Sequence, residues 1–296
     1  MTPPQDHPLA GMGWMVASVL AFSFMNLIIK FLGDDYNIWQ ITFFRCLFAL
    51  LPLFPFVMLK PEKYRWSPRL WKPYAWRVGL GVLSMICFFT SITMLPMVAA
   101  MALHATGPLY TVLFSRLLTN EHATRAQMLA LLAGFAGIMA IAVPPLVVPM
   151  ATLDPKGILL GVLGGVFYGM AMLGLRQLSQ TESSSKIVFY FSLAGTLALL
   201  PVQPWVWEYP QNGRDLLLLC GGGVLALLGQ IALTRAYAVA SPAAIAPIKY
   251  TDVVWAAFLA FLIWHEVPET NVMVGAGIVV AANLWLTGAN RMKKAG

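Results

Sequence analysis

Long runs of residues without a formal charge constrain this chain more than any other feature. Seven runs of about 18 residues or more can each cross a hydrocarbon core of about 30 Å as a helix: 9–29, 78–95, 126–143, 157–175, 187–207, 216–234 and 270–290. Three further stretches qualify once one or two ionisable side chains are tolerated in them: 38–59, 98–115 and 242–264. Only 10% of the residues are charged, against roughly 25% in soluble domains. The sequence therefore predicts an all-α membrane protein with ten transmembrane helices.

Lysine and arginine are distributed unequally between the two sides of this predicted bundle. With the N-terminus in the cytoplasm, the inner side receives Lys60, Lys63, Arg65, Arg69, Lys72, Arg77, Arg116, Arg125, Arg176, Lys186, Arg235, Arg291, Lys293 and Lys294. The outer side receives only Lys30, Lys156 and Arg214. Cytoplasmic loops of membrane proteins carry such an excess of cations. The sequence therefore predicts that both termini are cytoplasmic.

The basic segment 60–77 also contains Trp66, Trp71 and Trp76, a mixture that suits either nucleic acid or a membrane surface. Tryptophan beside cytoplasmic lysine and arginine is the usual composition of an interfacial loop. We therefore interpret this segment as a membrane anchor and expect no nucleic acid as a partner.

The two halves of the chain repeat one another. An offset of 145 residues places Glu121 on Glu266 and His104 on Lys249, whereas an offset of 146 relates the first spans, with Gly11 on Gly157 and Lys30 on Arg176. We expect a first repeat over 1–145 and a second over 146–296, each with five spans. An odd number of spans makes the second copy enter the membrane from the opposite side. Carriers built from inverted repeats bind their solute near the midplane, between the copies.

Two loop motifs and one helix motif resemble a known family. The paired segments SRLLTNEHATRAQMLALLAGFAGI and AFLIWHEVPETNVMVGAGIVVAAN, together with RCLFALLP, are similar to the two EamA domains of the drug/metabolite transporter superfamily. The resemblance implies a ten-span bacterial inner-membrane metabolite transporter whose cavity is lined by spans 1, 3, 4, 6, 8 and 9. One departure is that Asn120 and His265 replace the usual glycine before the loop glutamate.

Three formal charges lie inside predicted spans, where each costs about 3 kcal/mol or more. Lys249 and Asp252 are three positions apart and share a helical face, so they either neutralise each other or meet a solute. Arg45 stays charged and therefore needs a carboxylate, carbonyls or water. Asp34 and Asp35 are its candidate partners. A structural clamp or outer gate is the first interpretation of Arg45, and anion recognition is the second.

Proline and histidine add to this polar region. Pro247 and Pro108 each remove a backbone donor, so both helices should bend close to their polar residues, as a gate or for packing alone. His104 could carry protons or hydrogen-bond a neighbouring helix as a neutral ring. Asp252 is the other candidate for proton coupling, because a carboxylate released from its cation can bind a proton.

Several side chains are candidates for solute contact. Gln230, Thr234 and Tyr237 recur at helical spacing on span 8 and should face the cavity. The remaining candidates are polar or aromatic side chains of other spans, alongside Lys249 and His104: Asn26, Tyr110, Tyr168, Tyr250 and Trp255. Aromatic rings at such places either pack or bind a ligand. The glycines at 157, 161, 165 and 169 form a ridge that permits close helix packing.

These features favour a secondary transporter over an enzyme or a channel. The sequence contains no H-E-x-x-H, G-x-S-x-G or P-loop motif, and HEVPE at 265–269 lacks the second histidine of a zinc site. We expect no metal and no cofactor. The predicted partners are a small solute, the lipid bilayer and protons as a candidate coupling ion, in a monomer or a homodimer. Export of amino acids or similar amphipathic solutes is the first hypothesis, and uptake of a vitamin or other metabolite is the second.

Overall fold

Helices account for most of the described chain, and no strand occurs in that part. The structure is a computed structural model that describes residues 7–33, 35–94, 103–119, 123–142, 154–264 and 270–295. Its helices of eight residues or more are α1 Pro8–Leu32, α2 Ile38–Leu50, α3 Trp71–Met94, α4 Gly107–Thr119, α5 Arg125–Ala142, α6 Pro155–Ser179, α7 Ser184–Leu199, α8 Gly213–Val239, α9 Pro242–Lys249, α10 Thr251–Trp264 and α11 Thr270–Ala295. Shorter helical turns follow α2 and α7.

Polar caps determine where several helices begin. Asn37 accepts a hydrogen bond from a backbone N–H at the start of α2 (3.1 Å), and Asp154 does the same for α6 (2.8 Å). Asn212 caps α8 by accepting from the N–H of Asp215 at 2.9 Å. These bonds satisfy donors that the first helical turn leaves free, and Pro155 follows its cap where no N–H is needed. Loop residues therefore fix where these three helices begin.

Within the described residues, six segments are long and apolar enough to cross a membrane: Pro8–Ile29, Ile38–Leu59, Pro61–Ser91, Pro155–Ser179, Ser184–Val206 and Gly213–Val239. They match predicted spans 1, 2, 3, 6, 7 and 8. Spans 5 and 10 correspond to α5 and α11, whose apolar stretches are shorter, and α4 covers part of span 4. A turn at Tyr250 divides span 9 into α9 and α10. The count of ten crossings stays a prediction.

Helices α1 and α8 pack along each other in opposite directions. The N–H of His7, just before α1, donates to the carbonyl of Val239 at the end of α8, at 2.8 Å. Farther along α1, Ser18 Oγ donates to the carbonyl of Gly229 at 2.9 Å. A later residue of α1 thus meets an earlier residue of α8, which makes the pair antiparallel.

Helices α3 and α6 form a second antiparallel pair. Ser84 Oγ donates to the Gly164 carbonyl at 2.8 Å, and Ser91 Oγ donates to the Gly157 carbonyl at 2.9 Å. The offsets found in the sequence relate this pair to the first, because Ser18 is equivalent to Gly164 and Ser84 to Gly229. A serine-to-glycine bond therefore occurs at the same place in both pairs. In the first pair α1 supplies the donor, whereas in the second pair α6, the equivalent of α1, supplies the acceptor.

The ends of α6 and α8 lie together. Arg176 Nη1 donates to the Tyr237 carbonyl at 2.6 Å, and Ser179 Oγ donates to the same carbonyl at 3.2 Å. Because α1 begins at this end and α6 finishes there, equivalent helices of the two copies run in opposite directions. The two halves of the fold are inverted relative to each other.

The glycine ridge of α6 permits close contact with α4, as the four-residue spacing indicated. A Cβ on Gly169 would lie 2.7 Å from Tyr110 Cβ and 2.9 Å from the backbone nitrogen of Thr111. A Cβ on Gly165 would lie 2.5 Å from Thr106 Oγ1. Side chains at these positions would separate the helices, so this ridge sets how closely α4 approaches α6.

Polar contacts join the two copies at the end of the bundle where α1 begins, which we call the basic end. There Lys186 forms an ion pair with Glu182 at 2.7 Å, and Ser67 Oγ donates to the same carboxylate at 2.9 Å. Tyr190 OH donates to the Tyr64 carbonyl at 2.7 Å. The segment 60–72 at this end exposes several cations and tryptophans: Lys60, Lys63, Arg65, Arg69, Lys72, Trp66 and Trp71.

A different set of contacts joins the copies at the opposite end. The side-chain amide of Gln40 donates to the carbonyl of Glu208 at 2.6 Å and accepts from its N–H at 2.8 Å. Tyr36 OH donates to the Asp215 carboxylate at 2.7 Å and accepts from the N–H of Gln211 at 3.0 Å. The first and second halves are therefore held together at both ends of the bundle.

Candidate functional site

A cavity lies between the two copies. Side chains from α1, α2, α3, α6, α7 and α8 line it, together with His104, Lys249 and Asp252. The volume open to the centres of water molecules is about 130 Å³. One water needs about 10–15 Å³ by this measure, so the cavity has room for roughly ten waters or a solute of comparable size. Helices α2 and α7 thus join the spans that the family resemblance implied.

The lining combines an aromatic and thioether wall with a smaller set of polar groups. The apolar side chains are Phe22, Met25, Met85, Phe88, Phe89, Met172, Phe191 and Leu233. The polar side chains are Asn26, Arg45, Arg77, Ser84, His104, Tyr168, Gln230, Lys249 and Asp252. Small-molecule sites have this character, in which apolar surface supplies contact area and a few polar groups supply orientation.

Six pairs of these described lining residues occupy equivalent positions in the two copies. The offsets of 145 and 146 relate Phe22 to Tyr168, Met25 to Ala171, Asn26 to Met172, Met85 to Gln230, Phe88 to Leu233 and His104 to Lys249. The cavity therefore lies on the axis that relates the copies. Its chemistry is asymmetric, because in three of the six pairs one member is polar where the other is apolar.

Lys249 and Asp252 form an ion pair at the edge of this cavity. Their side chains retain 17% and 15% of their possible exposure. The second carboxylate oxygen of Asp252 is buried and has no hydrogen-bond partner in the described part of the chain. Lys249 Nζ also lies 5.5 Å from the centre of the Phe22 ring. The sequence left two alternatives, an ion pair between these side chains or contact with a solute. In the structure the two side chains form the ion pair and also line the cavity.

The chain bends next to both polar positions. Helix α9 contains Pro247 and ends at Lys249, and the turn at Tyr250 leads into α10. On the other side, a turn at Ala105 and Thr106 separates His104 from α4, in which Pro108 is the second residue. Each break places an ionisable side chain at a helix end, where it can point into the cavity.

His104 is held by contacts with α3 and α6. Its Nε2 lies 3.4 Å from Ser84 Oγ. The imidazole stacks on the Phe88 ring, with centroids 4.1 Å apart, and meets the edge of Tyr168 at 5.4 Å. Two aromatic rings and a hydroxyl therefore fix its orientation at the cavity wall.

Arg45 makes contacts other than those the sequence indicated. Its guanidinium donates to the sulfur atoms of Met25 and Met85 at 3.2 and 3.0 Å and lies 5.9 Å from the Phe22 ring centre. Among the described residues it has no carboxylate partner; Asp35 lies in an exposed loop, and Asp34 falls outside the described residues. The side chain points into the cavity and not toward that loop.

Arg77 is the main correction to the sequence analysis. We assigned it to a cytoplasmic loop, whereas its side chain is 3% exposed and lines the cavity. The reason is that α3 begins at Trp71, so Arg77 lies about 9 Å along the helix. Arg77, Gly81, Ser84 and Phe88 share a helical stripe, a pattern that the sequence contains when the helix is extended upstream of the apolar run.

The guanidinium of Arg77 has few polar partners. Nη2 donates to the side-chain oxygen of Gln230 at 3.1 Å, and the guanidinium carbon lies 4.2 Å from the Phe191 ring centre. Nε is buried without a hydrogen-bond partner in the described part of the chain. A third permanent cation therefore lies at this cavity with donor capacity left over.

Some predicted solute contacts lie outside the cavity. Thr234 donates to the Gln230 carbonyl of its own helix at 2.7 Å, and Tyr237 is 2% exposed in the core. Tyr250 packs against Gly134 of α5. Tyr110 and Trp255 contact the neighbouring rings of their own helices, Phe114 and Phe258. A shared helical face determines the direction in which side chains point, but not their depth in the bundle. Of Gln230, Thr234 and Tyr237 on span 8, only Gln230 lines the cavity.

Comparison with known proteins identifies the family. The family described as the EamA-like transporter family matches this chain twice, over residues 9–143 and 155–288. The protein belongs to this family. It is thus a transporter with two EamA-type repeats, a multi-pass protein of the bacterial cytoplasmic membrane, and not an enzyme.

Relatives of the transporter cover nearly its whole length. The pseudopaline exporter CntI of Pseudomonas aeruginosa is 29% identical over 272 residues, which are 92% of this chain and 94% of that protein. An S-adenosylmethionine uptake transporter of Rickettsia felis is 26% identical over 281 residues, 94% and 92% of the two chains. One crystal structure matches with a TM-score of 0.80 at 14% identity, over 95% of this chain and 98% of the other, which supports the fold.

Proposed function

We propose that this transporter is a secondary carrier that exports a small amphipathic solute with an acidic group, such as an amino acid or a similar metabolite, by alternating access. The observation that carries the proposal is a cavity on the axis between two inverted copies, with the charged pair Lys249 and Asp252 at its edge. Inverted-repeat carriers bind their solutes at such an interface. The aromatic wall suits the apolar body of the solute, and the cations suit its acidic group.

The proposed topology has ten membrane crossings, a repeat in each of 1–145 and 146–296, and both termini in the cytoplasm. The basic end supports this orientation, because it exposes Lys60, Lys63 and Lys72, and His7 lies at the same end. Solute would enter from the basic end and leave at the opposite end. The named exporter among the relatives supports this direction, whereas the named uptake transporter supports the reverse, which we keep as the alternative.

Counterflow in proteoliposomes tests this function. Vesicles loaded with an unlabelled solute should accumulate the labelled form transiently, because a carrier exchanges the two through one site. The panel consists of amino acids, dicarboxylates, nucleosides, vitamins and polyamines. Exchange of none of these solutes, or passive flux without trans-stimulation, would contradict a carrier.

Replacing Asp252 by Asn should flatten the pH dependence of exchange between pH 5 and 8. The change keeps the size of the side chain but removes the group that can take up a proton beside Lys249. Initial exchange rates across this pH range provide the measurement, and Asp35→Asn in an exposed loop is the matched control. A variant that keeps the pH profile of the wild type would remove Asp252 from proton coupling and leave His104 as the candidate.

Replacing Tyr36 by Phe should loosen the end of the bundle opposite the basic end. The hydroxyl bonds to Asp215 and Gln211 of the second copy, and a hydrogen bond to a charged group contributes about 1.5–3 kcal/mol. Hydrogen–deuterium exchange of the segment 206–215 should therefore become at least about tenfold faster. Tyr209→Phe is the control, because that ring is 80% exposed at the same end. Equal exchange in both variants would show that Tyr36 does not hold this end closed.

A further inference from the structure

The charges around the cavity do not balance. Its described lining contains three basic side chains, Arg45, Arg77 and Lys249, and one carboxylate, Asp252. The ion pair between Lys249 and Asp252 accounts for one charge of each sign. Two guanidinium groups remain, and arginine does not lose its proton in proteins. The cavity therefore carries an excess of about two positive charges.

Neither guanidinium has an anionic partner in the described part of the chain. Arg45 contacts two thioether sulfurs and an aromatic face, and Arg77 contacts one amide oxygen and an aromatic face. Thioether sulfurs, an amide oxygen and aromatic faces stabilise the positive charge of a guanidinium less than a carboxylate does. Charges beside apolar walls are screened less than charges in bulk water, so two uncompensated cations at the cavity favour an anionic solute.

The two arginines enter the cavity from backbone positions at different levels of the bundle. Arg45 contacts the sulfur of Met85, which follows Arg77 by eight residues on α3, or about 12 Å along the helix. Arg77 follows the start of α3 at the basic end, whereas Arg45 follows the start of α2 at the opposite end. Lys249 and Arg45 both lie within 6 Å of the Phe22 ring centre. The positive charge is thus spread along the cavity and is not concentrated at one point.

We propose that the solute of this transporter carries two acidic groups separated by an apolar or aromatic body, one recognised by Arg77 and the other by Arg45. This inference rests on the proposed carrier function and specifies its substrate class. The rings of Phe22, Phe88 and Tyr168 line the space in which the body of such a solute would lie. A zwitterionic amino acid with one carboxylate would leave one guanidinium without an anionic partner.

Matched pairs of compounds test the number of acidic groups. Purified transporter is titrated with terephthalate, 4-carboxyphenylacetate and benzene-1,4-diacetate, in which an aromatic ring separates the two carboxylates, each beside its monoamide, which has nearly the same size and one charge fewer. Thermal stability and isothermal calorimetry measure binding. The best diacid should bind at least about tenfold more tightly than its amide, which corresponds to about 1.4 kcal/mol. Added salt should reduce this preference.

Variants assign the preference to residues. Arg77→Gln and Arg45→Gln should each bring the ratio of diacid to amide affinity close to one while the amide still binds. Arg235→Gln should keep the ratio of the wild type, because that guanidinium is exposed on the Trp14 ring outside the cavity lining. The ratio of diacid to amide affinity is measured first on the wild-type transporter. The number of acidic groups is therefore tested even if a variant fails to fold.

The outcomes separate this inference from the carrier function. If no diacid binds, or if diacid and amide bind equally while counterflow of another solute is observed, the carrier function stands and the inference is wrong. Absence of counterflow for every solute class contradicts the carrier function itself. A diacid preference that Arg235→Gln abolishes as strongly as Arg77→Gln would also overturn the assignment to the cavity.

Discussion

Replacing Lys249 by Met should reduce transport about a hundredfold or more while the protein still inserts into the membrane. The substitution removes the cation that pairs with Asp252 at the cavity edge and leaves a carboxylate whose other oxygen is already buried without a partner in the described part of the chain. Truncating one partner of a desolvated charge pair in a binding site costs about 2–5 kcal/mol of binding free energy, and about 2.7 kcal/mol corresponds to a hundredfold. Initial rates of counterflow, normalised to the protein recovered in vesicles, measure the loss.

Two further variants separate the parts that Lys249 plays. Lys156→Met changes an exposed lysine at the start of α6 and should transport as the wild type does. The double variant Lys249→Met with Asp252→Asn removes both charges, so it should regain thermal stability without regaining transport. Recovery of transport in the double variant would mean that Lys249 serves only to neutralise Asp252. Wild-type affinity in the single variant would refute a role in solute binding.

Replacing Gly169 by Leu should destabilise the transporter more than the same substitution at Gly161 or Gly165. Even a Cβ would lie 2.7 Å from Tyr110 Cβ and 2.9 Å from the backbone of Thr111, so the larger side chain must push α4 away from α6. Overpacking of this kind typically costs about 1–3 kcal/mol, and a clash with backbone is the least easily relieved. Because His104 precedes α4, the displacement should also disturb the cavity.

Thermal unfolding in detergent provides the measurement for Gly169→Leu. Gly277→Leu is the control, because a Cβ at that position meets nothing within 4 Å. The control should unfold at the wild-type temperature or slightly above it, since leucine favours a helix more than glycine does. Equal melting temperatures of the two variants would show that the ridge does not determine how α4 packs on α6.

The amino-acid pattern indicated the repeat and the polar residues for a clear physical reason. A charge within an apolar run is costly, so Lys249, Asp252 and Arg45 stand out without any coordinates. The offsets of 145 and 146 were sufficient to predict which positions are equivalent, and they relate six pairs of lining residues. The loop glutamates Glu121 and Glu266, on which one offset rested, lie outside the described residues.

The positions of Arg77 and of the aromatic residues outside the cavity could not be predicted from the sequence. Arg77 follows a segment rich in lysine and arginine, which are typical of cytoplasmic loops. Only the start of α3 at Trp71 shows that Arg77 lies inside the bundle. Tyr250 has an aromatic ring with a hydroxyl group, as solute-binding residues often do, yet its ring packs against Gly134. Periodicity defines a shared face of one helix, whereas the identity of the neighbour on that face depends on how all helices pack.

The order of the amino acids is sufficient to predict a helical membrane protein made of two related copies, because apolar length, charge position and internal similarity are properties of the chain alone. The composition of the cavity between the copies, with three basic side chains and one carboxylate in its described lining, followed from the folded arrangement. The reason is that a cavity is formed by side chains distant in sequence, whose mutual positions depend on contacts such as those of Ser18 with Gly229 and Ser84 with Gly164.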